Sequence, residues 1–334
     1  MLLPDRGEKR QGRLLGLGAL RHMAVGAIVA MLAIAPASAE TIRVAKTIGV
    51  IWALTPVDIA QQTGIFAREG LQVEISTLAG DPKVIEGFVG GNFDMALASG
   101  TSMMFAVKGA PIRGVAALNG APRNFSLIVL PDSPIHDAAD LKGKKLGTAT
   151  VASFPEYLAR RIAAAQGWGI DDIQTVVTGN PQGTMAAMKL GHTDGFVGAT
   201  ELGYQLAENH AGRIVFGLEK FVPHVHTHVV IASQSFIADH PDAVRKFLAG
   251  IFEAVAFMRS NRERTIEISS AVMHMSPAVI AKTYDYELSM MLKDGNFDPT
   301  AIQVLKDSFV SMKLLPAAPS DEQLFTRQFV PVKF

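Results

Sequence analysis

Two short stretches, one in each half of the chain, have the same form, and together they limit what the chain can fold into. Gly90-Gly91-Asn92-Phe93-Asp94 and Gly191-His192-Thr193-Asp194 each set glycine after a helical run and aspartate before a short strand. Phe93–Ala98 and Asp194–Gly198 are largely apolar, as expected of strands buried on both faces of a sheet. Each run stops at residues that open a helix, Ser99-Gly100-Thr101 in the first and Ala199-Thr200-Glu201 in the second. Such a junction leaves backbone N–H groups at a helix N-terminus beyond the carboxyl end of a strand, where open α/β sheets bind ligands. The repeat therefore predicts two α/β lobes whose corresponding strand exits face each other across a cleft. Asp94 and Asp194 read as structural residues at strand starts, and Ser99 taken alone is a helix cap.

The remaining pattern supplies strands and helices in alternation. Strands are expected at Thr41–Val50, Leu71–Ser76, Ile112–Leu118, Phe125–Leu130, Lys144–Thr148, Ile173–Thr178 and Arg213–Phe216. Helices are expected at Val57–Arg68, Pro82–Val89, Thr101–Lys108, Phe154–Gln166 and Pro181–Leu190, and four more follow Asp239. Pro131-Asp132-Ser133-Pro134 breaks the sheet pattern and marks the first crossing between lobes. Phe221–Ser233 alternates and reads as the strand that returns. The expected organisation is a leader over 1–39, lobe one over 40–130 and 232–334, and lobe two over 131–231.

The leader is read from Arg6, Lys9, Arg10, Arg13 and Arg21, the uncharged run Met23–Ala35, and Ala37-Ser38-Ala39 before Glu40. This is the pattern of a secretory signal peptide cleaved after Ala39, and the apolar run is short for a membrane span. The chain has 31 basic and 31 acidic residues; five of the former and two of the latter lie in the leader, so the remainder carries a net charge of −3. No basic stripe with interleaved aromatics points to nucleic acid. There is no cysteine, which excludes disulfides, thiolate metal sites and lipid attachment through a thiol.

Gly64–Glu74 (GIFAREGLQVE), the G-x-x-D-x-A segment Gly91–Ala96 and the DLKGK-x-x-G segment Asp140–Gly147 form a set. With them the chain, from about Thr41 to its last helices, resembles the solute-binding proteins of ABC importers for nitrate, alkanesulfonates, taurine and pyrimidine thiamine precursors. The resemblance implies a type II periplasmic binding fold, two lobes joined by two crossovers with a ligand cleft between them. It also implies a small-molecule ligand, a membrane permease with its ATPase as partner, no cofactor, and a soluble periplasmic monomer.

Strand exits and helix starts nominate the cleft residues. They are Trp52, Thr55, Asp81, Ser99, Gly100, Thr101 and Asn119 from the first lobe, and Thr148, Thr150, Ser153, Thr200 and Glu201 from the second. Hydroxyls and backbone amides hold an oxyanion through charge-assisted hydrogen bonds. Trp52 either covers the organic part of a ligand or packs under its loop. Glu201 either points inward, toward a donor on the ligand, or complements the helix dipole from the first turn. His224, His226 and His228 lie at period two, so a strand would set them on one face, with His228 reaching the cleft. Neighbours on such a face are roughly 6.5–7 Å apart and no carboxylate or cysteine adjoins them, so no metal site is expected. Hinge motion is assigned to Pro131–Pro134 and His228–Ser233.

No G-x-S-x-G, H-E-x-x-H, P-loop or strand-linked G-x-G-x-x-G occurs. The alternative function is an enzyme on the same fold acting on a pyrimidine thiamine precursor; that branch carries a cysteine-rich motif, which this chain lacks. A third possibility is a sensory protein that binds the same ligand and reports to a receptor. The expected function is therefore binding, not catalysis, with a sulfonate-like or carboxylate anion as ligand.

Overall fold

A computed structural model describes residues 40–47, 49–151 and 153–334. The signal peptide and its cleavage point lie outside the described residues. In the first half the elements run β1 (Glu40–Thr47), α1 (Pro56–Gln62), α2 (Ile65–Arg68), β2 (Leu71–Leu78), α3 (Asp81–Val89), β3 (Met95–Ser99), α4 (Met104–Val107) and β4 (Ile112–Ala117). Then come β5 (Phe125–Val129), β6 (Lys145–Thr148), α5 (Phe154–Ala165), β7 (Gln174–Val177), α6 (Pro181–Lys189), β8 (Gly195–Ala199), α7 (Thr200–Glu208) and β9 (Arg213–Gly217). The chain ends with β10 (His228–Ser233), α8 (Gln234–Asp239), α9 (Pro241–Ser260), α10 (Arg262–Met273), α11 (Pro277–Glu287), α12 (Pro299–Ser311) and α13 (Asp321–Leu324). Among the described residues, no helix is long and apolar enough to cross a membrane.

The strands form two five-stranded sheets, β2-β1-β3-β10-β4 and β7-β6-β8-β5-β9. These are the same arrangement twice. In each, three strands pair in parallel and the fourth position holds an antiparallel strand from the other half of the chain, β10 in the first sheet and β5 in the second. The central strands β3, β5 and β10 are buried along their whole length, which is why their sequences are continuous apolar runs.

The repeated glycine–aspartate motif does the same job in both lobes. The carboxylate of Asp94 accepts the Arg43 N–H of β1 at 2.8 Å, and that of Asp194 accepts the Lys145 N–H of β6 at 2.8 Å. In return the Asp94 and Asp194 N–H groups donate to the Arg43 and Lys145 carbonyls. Each aspartate so registers its strand against the neighbouring strand. The turn before it needs a left-handed residue, and Gly91 and Gly191 both sit at φ +71°.

Four differences from the sequence expectation matter. Strand β5 joins the second sheet, so the first crossing is made by residues 118–124, ahead of Phe125, and not at Pro131–Pro134. The second crossing is made by residues 218–227. Residues 221–227 are irregular, with Pro223 among them, and only His228–Ser233 is strand; the three histidines therefore share no strand face. The helix expected over Val57–Arg68 breaks at Thr63-Gly64 into α1 and α2. The helix expected at Thr101–Lys108 is a 3₁₀ turn, Gly100–Met103, followed by the single turn α4.

Candidate functional site

A cavity of about 630 Å³ lies between the two sheets. Its first wall is made by the exits of β1 and β2, the end of β3 and the start of β10: Thr47, residues 49–51, residues 78–81, Ser99 and His228. The second is made by the exits of β6 and β7, the end of β8 and the start of β5: residues 147–150, 153–155, 179–181 and 196–199, with Thr184, Leu202 and Phe125. The cavity thus sits beyond the carboxyl ends of the parallel strands of both sheets, as the topology requires.

The body of the cavity is apolar and aromatic. Phe125 packs edge-on against Phe154 at 5.5 Å between ring centroids and stacks on His228 at 6.3 Å. Phe196, Leu78, Val50, Ile51 and Leu202 add to the surface. Among the described residues, no lysine or arginine is on the wall and Asp81 is its one carboxylate. The His228 Nδ1 lies 3.0 Å from the Asn119 side-chain oxygen, and burial holds its pKa down at about 3, so the imidazole is neutral.

Polar groups on the two walls differ in what they have left to offer. On the first wall Asp81 opens α3, and its carboxylate accepts from the Ser99 N–H at 3.1 Å and the Ser99 hydroxyl at 2.6 Å. The Ser99 oxygen in turn lies 2.8 Å from the Thr101 hydroxyl. These groups satisfy one another. On the second wall the Thr148 and Ser153 hydroxyls are buried and have no hydrogen-bond partner. Ser153 sits at the N-cap of α5 without capping it, beside the positive end of a twelve-residue helix. A buried hydroxyl left unpaired costs about 1–3 kcal/mol, and a ligand that accepts from it removes that cost.

Of the residues nominated from sequence, Asp81, Ser99, Thr148, Thr150, Ser153 and His228 line the cavity. Seven do not, and each has another partner. The Trp52 ring is fully buried, with its indole N–H on Ser269 at 3.1 Å and Tyr284 edge-on at 5.8 Å. The Thr55 hydroxyl closes a turn on the Trp52 carbonyl. Gly100 passes so close to the second crossing that an added Cβ would lie 1.9 Å from the His226 carbonyl oxygen. Thr101 completes the Ser99 network, and Asn119 is buried against His228. The Thr200 hydroxyl lies 2.9 Å from the Arg123 carbonyl and 2.7 Å from the Ser126 hydroxyl. Glu201 points inward, away from solvent, and accepts the Trp52 N–H. His226 accepts the Asp298 N–H at 2.8 Å, His224 is exposed, and no metal-holding group of three or more His, Cys, Asp or Glu occurs among the described residues.

Sequence reasoning missed the aromatic wall, Phe125, Phe154 and Phe196, together with Asn180 and Pro181. A signal for the last two was present: α3, α5 and α6 all carry proline in their first turn directly after a strand exit. The phenylalanines look like any other core residue until the sheets are placed.

The fold is that of the two-lobe periplasmic binding proteins. The alkanesulfonate-binding protein SsuA from Xanthomonas axonopodis pv. citri, solved with MOPS bound, superposes with a TM-score of 0.70 at 17% identity, over 84% of this chain and 95% of that one. The periplasmic aliphatic sulphonate binding protein SsuA from Escherichia coli gives a TM-score of 0.72 at 20% identity, over 86% and 92%. A Brucella abortus (strain 2308) protein named only as a binding protein is 24% identical over 288 residues, 82% of this chain and 87% of the relative. The model of the NMT1/THI5-like family matches residues 53–265, well over half of the sequence, and the chain belongs to that family.

Proposed function

We propose that this protein is the solute-binding component of an ABC importer. In this reading the leader exports it to the periplasm, where it works as a monomer and captures a small organic anion in the interlobe cavity. The observation that carries the proposal is the second wall: two unpartnered hydroxyls, Thr148 and Ser153, beside the N-terminus of α5. They form a site for an oxyanion that uses no cationic side chain. Names of relatives agree with an anion, since both SsuA proteins bind sulfonates.

Size and surface refine the ligand. The cavity of about 630 Å³ falls in the range that accommodates an organic molecule, and an inorganic ion such as nitrate would leave most of it unfilled. The phenylalanine wall suits a flat apolar body. Asp81, across the cavity and already satisfied by Ser99, repels a second negative group and so orients the ligand with its acid end on the second wall. A sulfonate or carboxylate with an aromatic or bulky apolar body meets all three conditions. Nothing on the wall favours the enzyme reading: the chain has no cysteine, and the imidazole of His228 is turned to Asn119.

Capture then works by closure of the lobes about residues 118–124 and 218–227. The ligand touches both walls in the closed form, bonding to the second and packing on Val50, Ile51 and Leu78 of the first, and only one in the open form, and this difference in affinity drives the change. The closed protein offers both lobes to the permease, whose ATPase powers transfer. Small-angle scattering tests this directly. Saturating an aryl sulfonate site should reduce the radius of gyration, whereas an unchanged radius with ligand verifiably bound contradicts capture by closure.

A further inference from the structure

Beneath the cavity, where the two lobes join, two carboxyl groups are sealed from water. Glu201 in the first turn of α7 and Glu287 at the end of α11 are both completely buried. Three of their four oxygens have no hydrogen-bond partner. The fourth, on Glu201, accepts the backbone N–H of Trp52. That bond joins the lobes, because Trp52 follows β1 of the first sheet and Glu201 follows β8 of the second. Its neighbours on both sides belong to the ligand cavity: Val50 and Ile51 precede Trp52, while Ala199 and Leu202 flank Glu201.

The surroundings supply no counter-charge. On α7 the other titratable groups are Glu208, whose carboxylate accepts the Ser276 hydroxyl at 3.0 Å, and Tyr204, whose hydroxyl pKa is raised by burial first and then by Glu287 and Glu201. From α11, Tyr286 donates to Glu219 at 2.6 Å and Tyr284 donates to the Met258 carbonyl. From the crossings come Glu219 and Arg123, and the Arg123 cation lies over the Tyr286 ring at 5.4 Å. The Trp52 indole is engaged with Ser269 of α10. A buried carboxylate without cation or donors is strongly disfavoured, and a second one beside it more so.

We infer that Glu201 and Glu287 are a proton site built into the hinge, protonated when the lobes are closed and released to ionise when they part. Moving the Trp52 loop away from α7 removes the single N–H donor and admits water, which is what an ionised pair needs. Closure therefore takes up protons, and solute capture weakens as the medium becomes alkaline. The inference stands on the hinge geometry and does not depend on which solute fills the cavity. In the closed form burial raises Glu201 to about 8 and Glu287 well above the usual carboxylate range.

Because the chain has no cysteine, a Lys83→Cys, Gln182→Cys pair places one spin label on α3 and one on α6, beside the cavity. Interlobe distances are then measured in the purified protein without ligand from about pH 6 to about pH 9. The expected result is a minor closed, short-distance population at about pH 6 that falls as the pH rises through this range. In a Glu201→Gln, Glu287→Gln background, where both side chains stay neutral, that fall should vanish. Infrared titration of the parent gives a second readout that needs no foldable variant: a protonated-carboxyl band lost over the same pH range as the closed population. A distance distribution constant over that range overturns the inference. So does an equal fall in the double variant, or the absence of any protonated-carboxyl band above about pH 6.

Discussion

The two lobes share a strand order, a registering aspartate and a left-handed glycine, yet their facing walls are chemically unlike. On the first, the polar side chains at the ends of β2 and β3 are consumed locally: Asp81 takes the Ser99 N–H and hydroxyl, and the Ser99 oxygen lies against the Thr101 hydroxyl. On the second, the Thr148 and Ser153 hydroxyls are buried with nothing to bond. The comparison teaches that a duplicated scaffold can repeat a strand order and a registering motif while leaving the hydrogen bonds of its two facing walls unequally completed. In the proposed function the second wall is the one that receives the solute's acid end.

The strongest test of that asymmetry is to finish the second wall. A Thr148→Ala, Ser153→Ala double variant should lose about 3 kcal/mol or more of anion binding, over a hundredfold by calorimetric titration, with the melting temperature of the free protein unchanged or slightly higher. Next is the pair of positions just past the strand exits. A Cβ at Gly100 would meet the His226 carbonyl oxygen at 1.9 Å, so Gly100→Ala should cost about 1–3 kcal/mol of stability as the backbone shifts. At the corresponding place in the second lobe, Thr200→Ala removes one hydroxyl bridge and should cost only about 1 kcal/mol. Denaturant melts of the two variants give this difference.

The pH profile separates the walls again. Glu201 and Glu287 are raised by burial, so the native state holds protons that the unfolded chain has lost. The Glu201 contribution is complete below the ordinary carboxylate pKa of about 4.3 and declines as pH rises through about 8, and Glu287 acts in the same direction. His228, and His226 in the same direction, is held neutral by burial, so stability falls instead as pH drops below about 6.5, where the unfolded histidines charge. Melting temperature against pH should peak between these limbs; Glu201→Gln should flatten the alkaline limb alone. The smallest effect is expected at Asp81. Asp81→Asn removes a like charge across the cavity and should raise anion affinity by less than tenfold, while weakening the Ser99 network by about 1 kcal/mol.

Much of this architecture is legible in the sequence because the glycine–aspartate motif is a local device. The turn needs glycine, the register needs a carboxylate, and both recur with the strand they serve. Membership of a sheet is not local. Phe125–Val129 reads as a buried strand wherever it goes, and only packing shows that it fills the antiparallel position of the second sheet. The same limit hid the phenylalanine wall. Glu201 was ambiguous because the first turn of α7 buries consecutive residues, Thr200 and Glu201, so helical periodicity does not separate an inward carboxylate from a dipole partner. The histidine alternation failed at the irregular segment around Pro223, where no strand continues the pattern.

The central claim, an organic anion seated on the second wall, is tested most directly by a thermal-shift titration of the parent and the Thr148→Ala, Ser153→Ala variant side by side. The panel would hold aryl and alkyl sulfonates, aromatic carboxylates, nitrate, taurine and pyrimidines. A ligand at about a hundred times its dissociation constant stabilises the parent by about 2.7 kcal/mol, a rise of several degrees for a protein of this size. The account predicts that rise with an organic anion bearing an apolar body, and its loss in the variant. An equal rise in both proteins, or a rise only with uncharged pyrimidines, would contradict it.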